Sequence, residues 1–132
     1  RTDVIVASFQ DAALAHFHRL APQVPLSAGT AAMAAYVATG APLPPGTVAL
    51  QAPVRYQGVP VITRDFVRRA HADGYAVHAW FSGTAPDDRK TYNAVIDACV
   101  DGLMPSRPAL LERIMERRGI QRPGEPGIAP CA

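Results

Sequence analysis

The residues best suited to chemistry lie in YAVHAWF, which runs from 75 to 81 and holds the chain's single tryptophan. An apolar run of this kind, following Gly74, is typical of a short strand. Side chains two residues apart on a strand share a face, so His78 and Trp80 point the same way. Trp80 is nearer the strand end, which favours a ligand contact there over a core tryptophan. His78 is interpreted as a hydrogen-bonded core histidine.

Two polar residues accompany another apolar run, TVALQAPVRY at 47–56. Gln51 lies within this run and could point inward to bind a polar group of a ligand. Arg55 lies at its end, where a guanidinium could bind a phosphate through two parallel N–H groups. Ordinary surface positions account for both residues equally well. The candidate binding residues are therefore Trp80, Gln51 and Arg55, with no catalytic residue and no metal ligand assigned.

Other polar residues favour structural roles. Ser8 lies at a strand end, but no His or Asp accompanies it in a nucleophile elbow. His16 and His18 are two residues apart on a predicted helix, so they do not share a face, which disfavours a metal pair. Asp97 and Asp101 are four apart, but Asp101 is better placed to shape a turn into the next strand.

The two cysteines, Cys99 and Cys131, indicate neither a disulfide framework nor a zinc-ligand spacing. Cys99 falls in a helical pattern beside Val95 and Ile96, which favours a buried free thiol. Cys131 lies in the segment 120–132, which is too rich in Pro and Gly to form a packed element.

Alternating strands and helices carry these residues. The predicted strands cover 3–9, 24–29, 47–56, 75–81 and 101–105, the first as a buried strand. The helices between and after them have predicted N-caps at Asp11, Thr30, Thr63 and Ser106 and predicted stops at Gly40, Gly74 and Gly119. Such alternation implies parallel strands joined by right-handed crossovers, in a doubly wound sheet or a (β/α) barrel. No glycine-rich nucleotide fingerprint follows any strand.

Composition limits the partners. A chain of 132 residues with 48% hydrophobic content fits one domain with a packed core. A net charge of +2 is too weak to indicate nucleic acid or an anionic membrane. No apolar run approaches the roughly 20 residues that a transmembrane helix needs. The location is left open between cytoplasm and export, because a chain that starts at Arg1 could have lost a signal.

Five short phrases follow one another in an informative order: VIVASF, VPLSAG, ALQAP, ITRDFVRRAHADGYAVHAWF and VDGLMPSRPALLERI. Together they resemble the C-terminal part of the glycerophosphodiester phosphodiesterase family, over residues 3–117. The residues that match the family are Ser8, Phe9, His71, Gly74, Val77, His78, Trp80, Val100, Asp101, Gly102, Arg107 and Pro108.

The resemblance implies a partial (β/α)8 TIM barrel, of which this chain would hold about five parallel strands with alternating helices. Such barrels need about 200–250 residues. Residues 1–119 would form the C-terminal portion of the barrel, and 120–132 a Pro/Gly-rich tail. By the same resemblance, Trp80 would offer an apolar wall to the glycerol moiety of a substrate.

The resemblance also implies an activity, the metal-dependent hydrolysis of a phosphodiester to an alcohol and glycerol phosphate. The intact family uses Mg²⁺ or Ca²⁺, two acid/base histidines and metal-binding carboxylates, all from the first three strands of the barrel. This chain has no counterpart, since His18-Arg19 lies in a helix and no Glu-x-Asp pair is present. We therefore expect a glycerophosphodiester-type ligand, no metal bound by this chain, and no activity from it alone.

Two segments depart from the family pattern. Phe81-Ser82-Gly83 stands where typical members have Thr-Val-Asn, and Pro105-Ser106 stands in place of Thr-Asp. Both lie at C-terminal strand ends, where barrel enzymes place their active sites, so the identity of the diester is left open. The alternative is a non-catalytic truncated barrel. Its open sheet edges could pair with a second copy, a partner chain or a missing N-terminal half.

Overall fold

The computed structural model describes residues 3–121, 127 and 131. Its helices are α1 (Asp11–Leu20), α2 (Thr30–Thr39), α3 (Arg64–Ala72), α4 (Arg89–Asp97) and α5 (Pro108–Arg118). Its strands are β1 (Leu26–Ser27), β2 (Thr47–Pro53), β3 (Arg55–Tyr56), β4 (Val59–Pro60), β5 (Ala76–Trp80) and β6 (Gly102–Met104). None of the described helices has the length and apolarity that a membrane crossing needs.

Four of the strands form one parallel sheet in the order β1-β2-β5-β6. β1 pairs with β2 across a register shift after Leu26. β5 pairs with β6 so that His78 lies opposite Gly102 and Trp80 opposite Met104. Parallel strands alternating with helices confirm the predicted α/β class and are the arrangement expected of part of a (β/α) barrel.

The prediction of a buried strand at 3–9 is wrong. Within this segment only Val6 forms a bridge, a parallel one to Leu26. Ile5 is 37% exposed and Phe9 is 74% exposed. The apolar composition predicted burial, but burial needs a neighbour on each side. The segment lies at the outer side of β1, and no described strand covers its other edge.

A short antiparallel hairpin follows β2. Arg55 of β3 pairs with Pro60 of β4, and the turn between the strands has positive φ at Gln57 (48°) and Gly58 (78°). Two left-handed residues in succession are the mark of a type I′ turn, which suits a two-residue hairpin loop. The sequence predicted one strand over 47–56, which the structure divides into β2 and β3, and it predicted no strand at 59–60, because two residues are too few for a period-2 pattern.

The chain divides into two compact units. Unit 1 comprises Arg1–Gln51 and Ala70–Val77, and unit 2 comprises Ala52–Arg69 and His78–Ala132. Tyr36 lies at the centre of unit 1, where its ring meets the ring of Tyr75 edge-on at 5.8 Å. Its hydroxyl donates to Asp73 at 2.6 Å, so this buried polar atom is satisfied.

The core of unit 2 is built where α4 and α5 pack together. Its aromatic pair is Phe81 and Tyr92, whose ring centroids are 5.0 Å apart in an edge-to-face arrangement. Both side chains are essentially inaccessible to solvent. Other buried apolar residues of unit 2 are Val67, Val95, Ile96, Leu110 and Ile114.

Asp11 caps α2 instead of α1, which corrects its predicted role. α1 begins at Asp11 itself, and the Asp11 carboxylate accepts the backbone N–H groups of Ala31 at 2.9 Å and Ala32 at 3.0 Å. Thr30, predicted as the cap of α2, is that helix's first residue. A carboxylate here satisfies two N–H groups that have no partner within the helix and favours its positive end. Sequence spacing could not show a contact spanning some 20 residues.

The remaining helix ends mostly follow their predictions. Thr63 accepts the amide of Phe66 at 3.1 Å and so caps α3. Ser106 is not the N-cap of α5, because Arg107 holds that position without a side-chain hydrogen bond to the helix. Three predicted helix stops have positive φ, as a left-handed cap requires: Gly40, Gly74 and Gly119.

Cys99 and Cys131 form a disulfide, with their Cα atoms 5.6 Å apart. The prediction of a free, buried Cys99 thiol is therefore wrong. α4 ends at Asp97, and Cys99 lies beyond it with φ 74°, so its side chain leaves the face that helical periodicity assigned to it. The predicted tail at 120–132 lies largely outside the described residues.

Candidate functional site

The carboxyl ends of three strands meet in unit 2. Trp80 ends β5 beside Met104, which ends β6. The carbonyl of Trp80 accepts the amide of Val54 at 3.0 Å, which brings the segment after β2 to the same place. Barrel folds carry their binding residues at this edge, so we take the carboxyl edge of unit 2 as the candidate site.

Trp80 and His78 lie on one face of β5, as strand parity predicted. Both are half-buried, whereas Val77 and Ala79 on the opposite face are fully buried. A Cβ at Gly102 would lie 3.0 Å from Cδ2 of His78, so the His78 ring lies over the glycine backbone of β6. His78 thus occupies a packing position below Trp80. Ligand contact by Trp80 stays a prediction.

Arg55 and Gln51 lie in different units. The guanidinium of Arg55 donates from Nη2 (2.9 Å) and Nε (3.3 Å) to the carbonyl of Gly58, which closes the hairpin. Arg55 follows Val54 and so belongs to the unit that contains Trp80. Gln51 is half-buried on the part of β2 that belongs to unit 1. Ligand binding by either residue stays a prediction.

A hydrogen-bond network that the sequence did not predict joins the loop after β5 to the loop after β6. Oδ1 of Asp87 accepts the hydroxyl of Tyr92 at 2.6 Å and the amide of Ser106 at 2.8 Å. The Tyr92 oxygen accepts the amide of Arg107 at 3.3 Å, and Nη1 of Arg107 donates to the carbonyl of Asp87 at 3.4 Å. We call these four residues the loop clasp. The one sequence signal is the spacing of Tyr92 with Val95 and Ile96, which places Tyr92 on the buried side of α4.

The loop clasp pairs an ionised carboxylate, Asp87, with a protonated phenol, Tyr92. Burial and the hydrogen bond to Asp87 raise the pKa of Tyr92 to about 12, so the phenol stays protonated. Desolvation opposes ionisation of Asp87, but the hydrogen bonds from Tyr92 and Ser106, with the charge of Arg107, outweigh it and hold its pKa below the ordinary 3.8. Asp87 is therefore a carboxylate near neutral pH, and Tyr92 is its hydrogen-bond donor.

Three other residues weighed in the sequence have structural contacts. Oγ of Ser8 accepts the amide of Gln10 at 3.1 Å, just before α1. Nδ1 of His16 lies 3.1 Å from Nη2 of Arg19, one turn along the same helix. Asp97 forms an ion pair of 2.6 Å with an arginine of α5. Each contact is local or lies between packed helices.

The described residues do not fit a divalent metal site. Within 3–121 and the two described tail residues, no group of three or more His, Cys, Asp or Glu side chains is placed to hold an ion. At the carboxyl edge of unit 2, Oδ1 of Asp87 already accepts two protein donors. We therefore derive no chemical step through a metal.

Comparison with known proteins shows a similarity over most of the chain. No protein-family model matches the sequence. A curated protein of Mycobacterium tuberculosis (strain ATCC 25618 / H37Rv), described as "Probable glycerophosphodiester phosphodiesterase 2", is 35% identical over 126 residues. The match covers 88% of this chain but 46% of that protein, so the chain spans about half the length of this relative. Over most of its length, the chain is therefore similar to part of a protein described as a glycerophosphodiester phosphodiesterase.

Proposed function

We propose that this chain forms a ligand-contacting wall of a glycerophosphodiester phosphodiesterase-like enzyme. The similarity to the mycobacterial protein over 88% of the chain carries the proposal. The reaction of the intact enzyme would be hydrolysis of a phosphodiester to an alcohol and glycerol phosphate. This chain would contribute apolar and cationic contacts at the carboxyl edge of unit 2, and the acid/base and metal-binding groups would be absent from it.

Trp80 suits the glycerol end of such a ligand. Trp80 is half-buried at the end of β5, so part of the residue stays accessible there. A tryptophan in this position can cover the C–H groups of a polyol, while the ring itself is held by the sheet.

Arg55 suits the phosphate end. Its two hydrogen bonds to Gly58 fix the guanidinium against the hairpin and use two of its five N–H groups. The others stay available to phosphate oxygens in the planar arrangement that a guanidinium provides.

Because Trp80 is the chain's single tryptophan, its fluorescence reports on this site alone. We expect titration with glycerol 3-phosphate to produce a saturable change in Trp80 emission. Arg55→Gln should weaken binding by at least about tenfold, since a hydrogen bond to a charged group contributes about 1.5–3 kcal/mol. Arg68→Gln is the matched control, because Arg68 is an exposed arginine of α3 paired with Asp65. An unsaturable signal, or equal affinity in Arg55→Gln and wild type, would contradict the proposal.

The second part of the proposal concerns catalysis. The 132-residue chain should not hydrolyse glycerophosphocholine in the presence of Mg²⁺ or Ca²⁺. Release of glycerol phosphate is the measurement. Robust metal-dependent turnover by the chain alone would show that groups within it perform the chemistry, and would overturn the assignment of a wall without a catalytic residue.

A non-catalytic, self-associating module is the second candidate. The observation that favours it is the exposed apolar segment 3–9 along the outer side of β1, with Phe9 74% exposed. Exposed edges of this kind promote pairing with another chain, and the occupant we propose is a second copy. Light scattering after size-exclusion chromatography should then give twice 14.0 kDa for the wild type and 14.0 kDa for Ile5→Lys. A wild-type monomer would rule the candidate out.

A further inference from the structure

We infer that Asp87 is a positioning residue, and that the side chain it positions is Arg107, held at the carboxyl edge of unit 2 to meet an anionic group. The identity of that group, the phosphate of glycerol phosphate, rests on the proposed function. The contacts that hold Arg107 do not depend on the proposed function, because they are observed in the structure of this chain.

The first step is the way the two loops are joined. One carboxylate oxygen of Asp87, at the end of the loop 81–88, binds both the buried hydroxyl of Tyr92 and the amide of Ser106 in the loop 105–107. Tyr92 is fixed in turn by its edge-to-face contact with Phe81. Loops that connect strands to helices are ordinarily the mobile part of a fold. Here the loop after β6 is tied to a side chain of the core.

The second step is the effect on Arg107. Its backbone amide is bonded to Tyr92, and its Nη1 is bonded to the carbonyl of Asp87. Arg107 is nonetheless an exposed residue, three positions beyond Met104 at the end of β6. An exposed arginine normally loses much of its rotamer freedom when a ligand immobilises it, and that loss opposes binding. Fixing both ends of this side chain in advance reduces that loss.

The third step is the requirement for charge. An ionised carboxylate only accepts hydrogen bonds, so it can take the Tyr92 hydroxyl and the Ser106 amide on the same oxygen. It also lies near the first turn of α5, where negative charge is favoured. Asparagine has the same shape but offers a neutral, weaker acceptor. Asp87→Asn therefore tests the charge and leaves the volume unchanged.

The first experiment needs no ligand. In Asp87→Asn, exchange of the Ser106 amide hydrogen, followed by NMR, should accelerate at least tenfold, whereas Asp65→Asn in α3 should leave it unchanged. Tyr92→Phe, which keeps the ring packing but removes the hydroxyl, should accelerate exchange at Arg107. Ultraviolet titration should show the Tyr92 pKa falling from about 12 in Asp87→Asn, with Tyr92→Phe as the blank. Unchanged exchange at Ser106 in Asp87→Asn would overturn the inference.

The second experiment tests the positioning through binding. Arg107→Gln and Asp87→Asn should each weaken glycerol 3-phosphate binding, measured by Trp80 fluorescence. The double variant should bind no more weakly than Arg107→Gln alone, because residues that act through one another are not additive. Additive losses, or normal affinity in Arg107→Gln, would overturn the role of Asp87. A wild type that binds no glycerol 3-phosphate would overturn the proposed function and the role of Arg107, while exchange at Ser106 still decides whether Asp87 ties the loops.

Discussion

Asp87 and Tyr92 have pKa values displaced in opposite directions, and one hydrogen bond contributes to both displacements. The 2.6 Å bond from a neutral phenol to a charged carboxylate stabilises the ionised form of the acid and the protonated form of the phenol. Such a pair contributes most to the stability of the fold when both groups are hydrogen-bonded. Losing one partner leaves the other desolvated and without its hydrogen bond.

The stability of the protein should therefore fall at both ends of the pH range through this pair. Asp87 has a folded pKa below its ordinary value, so its contribution is present above pH 3.8 and is lost as pH falls through the lowered pKa. Tyr92 has a raised pKa, so its contribution is present below pH 10.0 and is lost as pH rises toward about 12. Urea unfolding across pH is the measurement. Asp87→Asn should flatten the acid limb, and an acid limb identical to wild type would contradict this.

At the residue level, the sequence predicted the face of a strand on which a residue lies better than it predicted the residue's hydrogen-bond partners. Strand parity correctly placed His78 and Trp80 on one side of β5, because period-2 alternation is a local property. Asp87 carried no such local signal. Its partners lie 5 and 19 residues away, and only the pairing of β5 with β6 brings them together.

At the level of elements, the starts of two helices are bound by an aspartate that lies at or just before the start of the preceding helix. Asp11, at the start of α1, binds the first turn of α2. Asp87, just before α4, binds the residue preceding the N-cap of α5. Each contact satisfies amide groups at or just before the start of a helix and attaches that start to an earlier segment of the chain. The two cases lie in different units, so the same local solution occurs twice.

Gly29 and Asp11 should show strong energetic coupling. Gly29 has an ordinary φ of −76°, so alanine is allowed there, but its Cβ would lie 2.7 Å from Cγ and Oδ1 of Asp11. Gly29→Ala should displace the carboxylate and lower the free energy of unfolding by about 1 kcal/mol, the usual effect of losing a helix cap.

Asp11→Ala should cost about the same, and the double variant should cost little more than either single variant. Chemical denaturation of the four proteins measures the cycle. If the two costs add, Gly29 does not act through Asp11.

Whether the boundary of a helix or strand was predicted depends on the length of the element and on how local the contacts at its ends are. Glycine stops and the Thr63 cap depend on neighbours within a few residues, and both were predicted. The strands β3 and β4 have two residues each, too few for a pattern. Segment 3–9 has the composition of a buried strand, yet burial depends on what lies alongside it, which composition cannot report.

On the scale of the whole molecule, the alternation of strand and helix sufficed to predict the parallel sheet, because that pattern is repeated along the chain. No repeated pattern in the sequence indicated the disulfide. Its cysteines are 32 residues apart, and helical periodicity placed Cys99 on the face of a helix that ends before reaching it.

Reduction of the disulfide should lower stability substantially. Opening a closed loop of this length costs about 3.7 kcal/mol, which corresponds to a fall in Tm of roughly 13 °C. Thermal unfolding with and without dithiothreitol is the measurement, and Cys131→Ser is the control, because its Tm should be low and insensitive to the reductant. Equal Tm values for the oxidised and reduced wild type would contradict this.

The compartments in which the folded protein keeps its full stability are determined by the bond between Cys99 and Cys131. Disulfides persist outside the cytosol, in secreted and periplasmic proteins, and are reduced inside it by glutathione and thioredoxin. In an oxidising compartment, Cys131 stays covalently attached to the residue that follows α4. In a reducing one, the same amino-acid sequence yields a less stable protein with two thiols. The redox state of its surroundings is therefore one of the conditions that define its native structure.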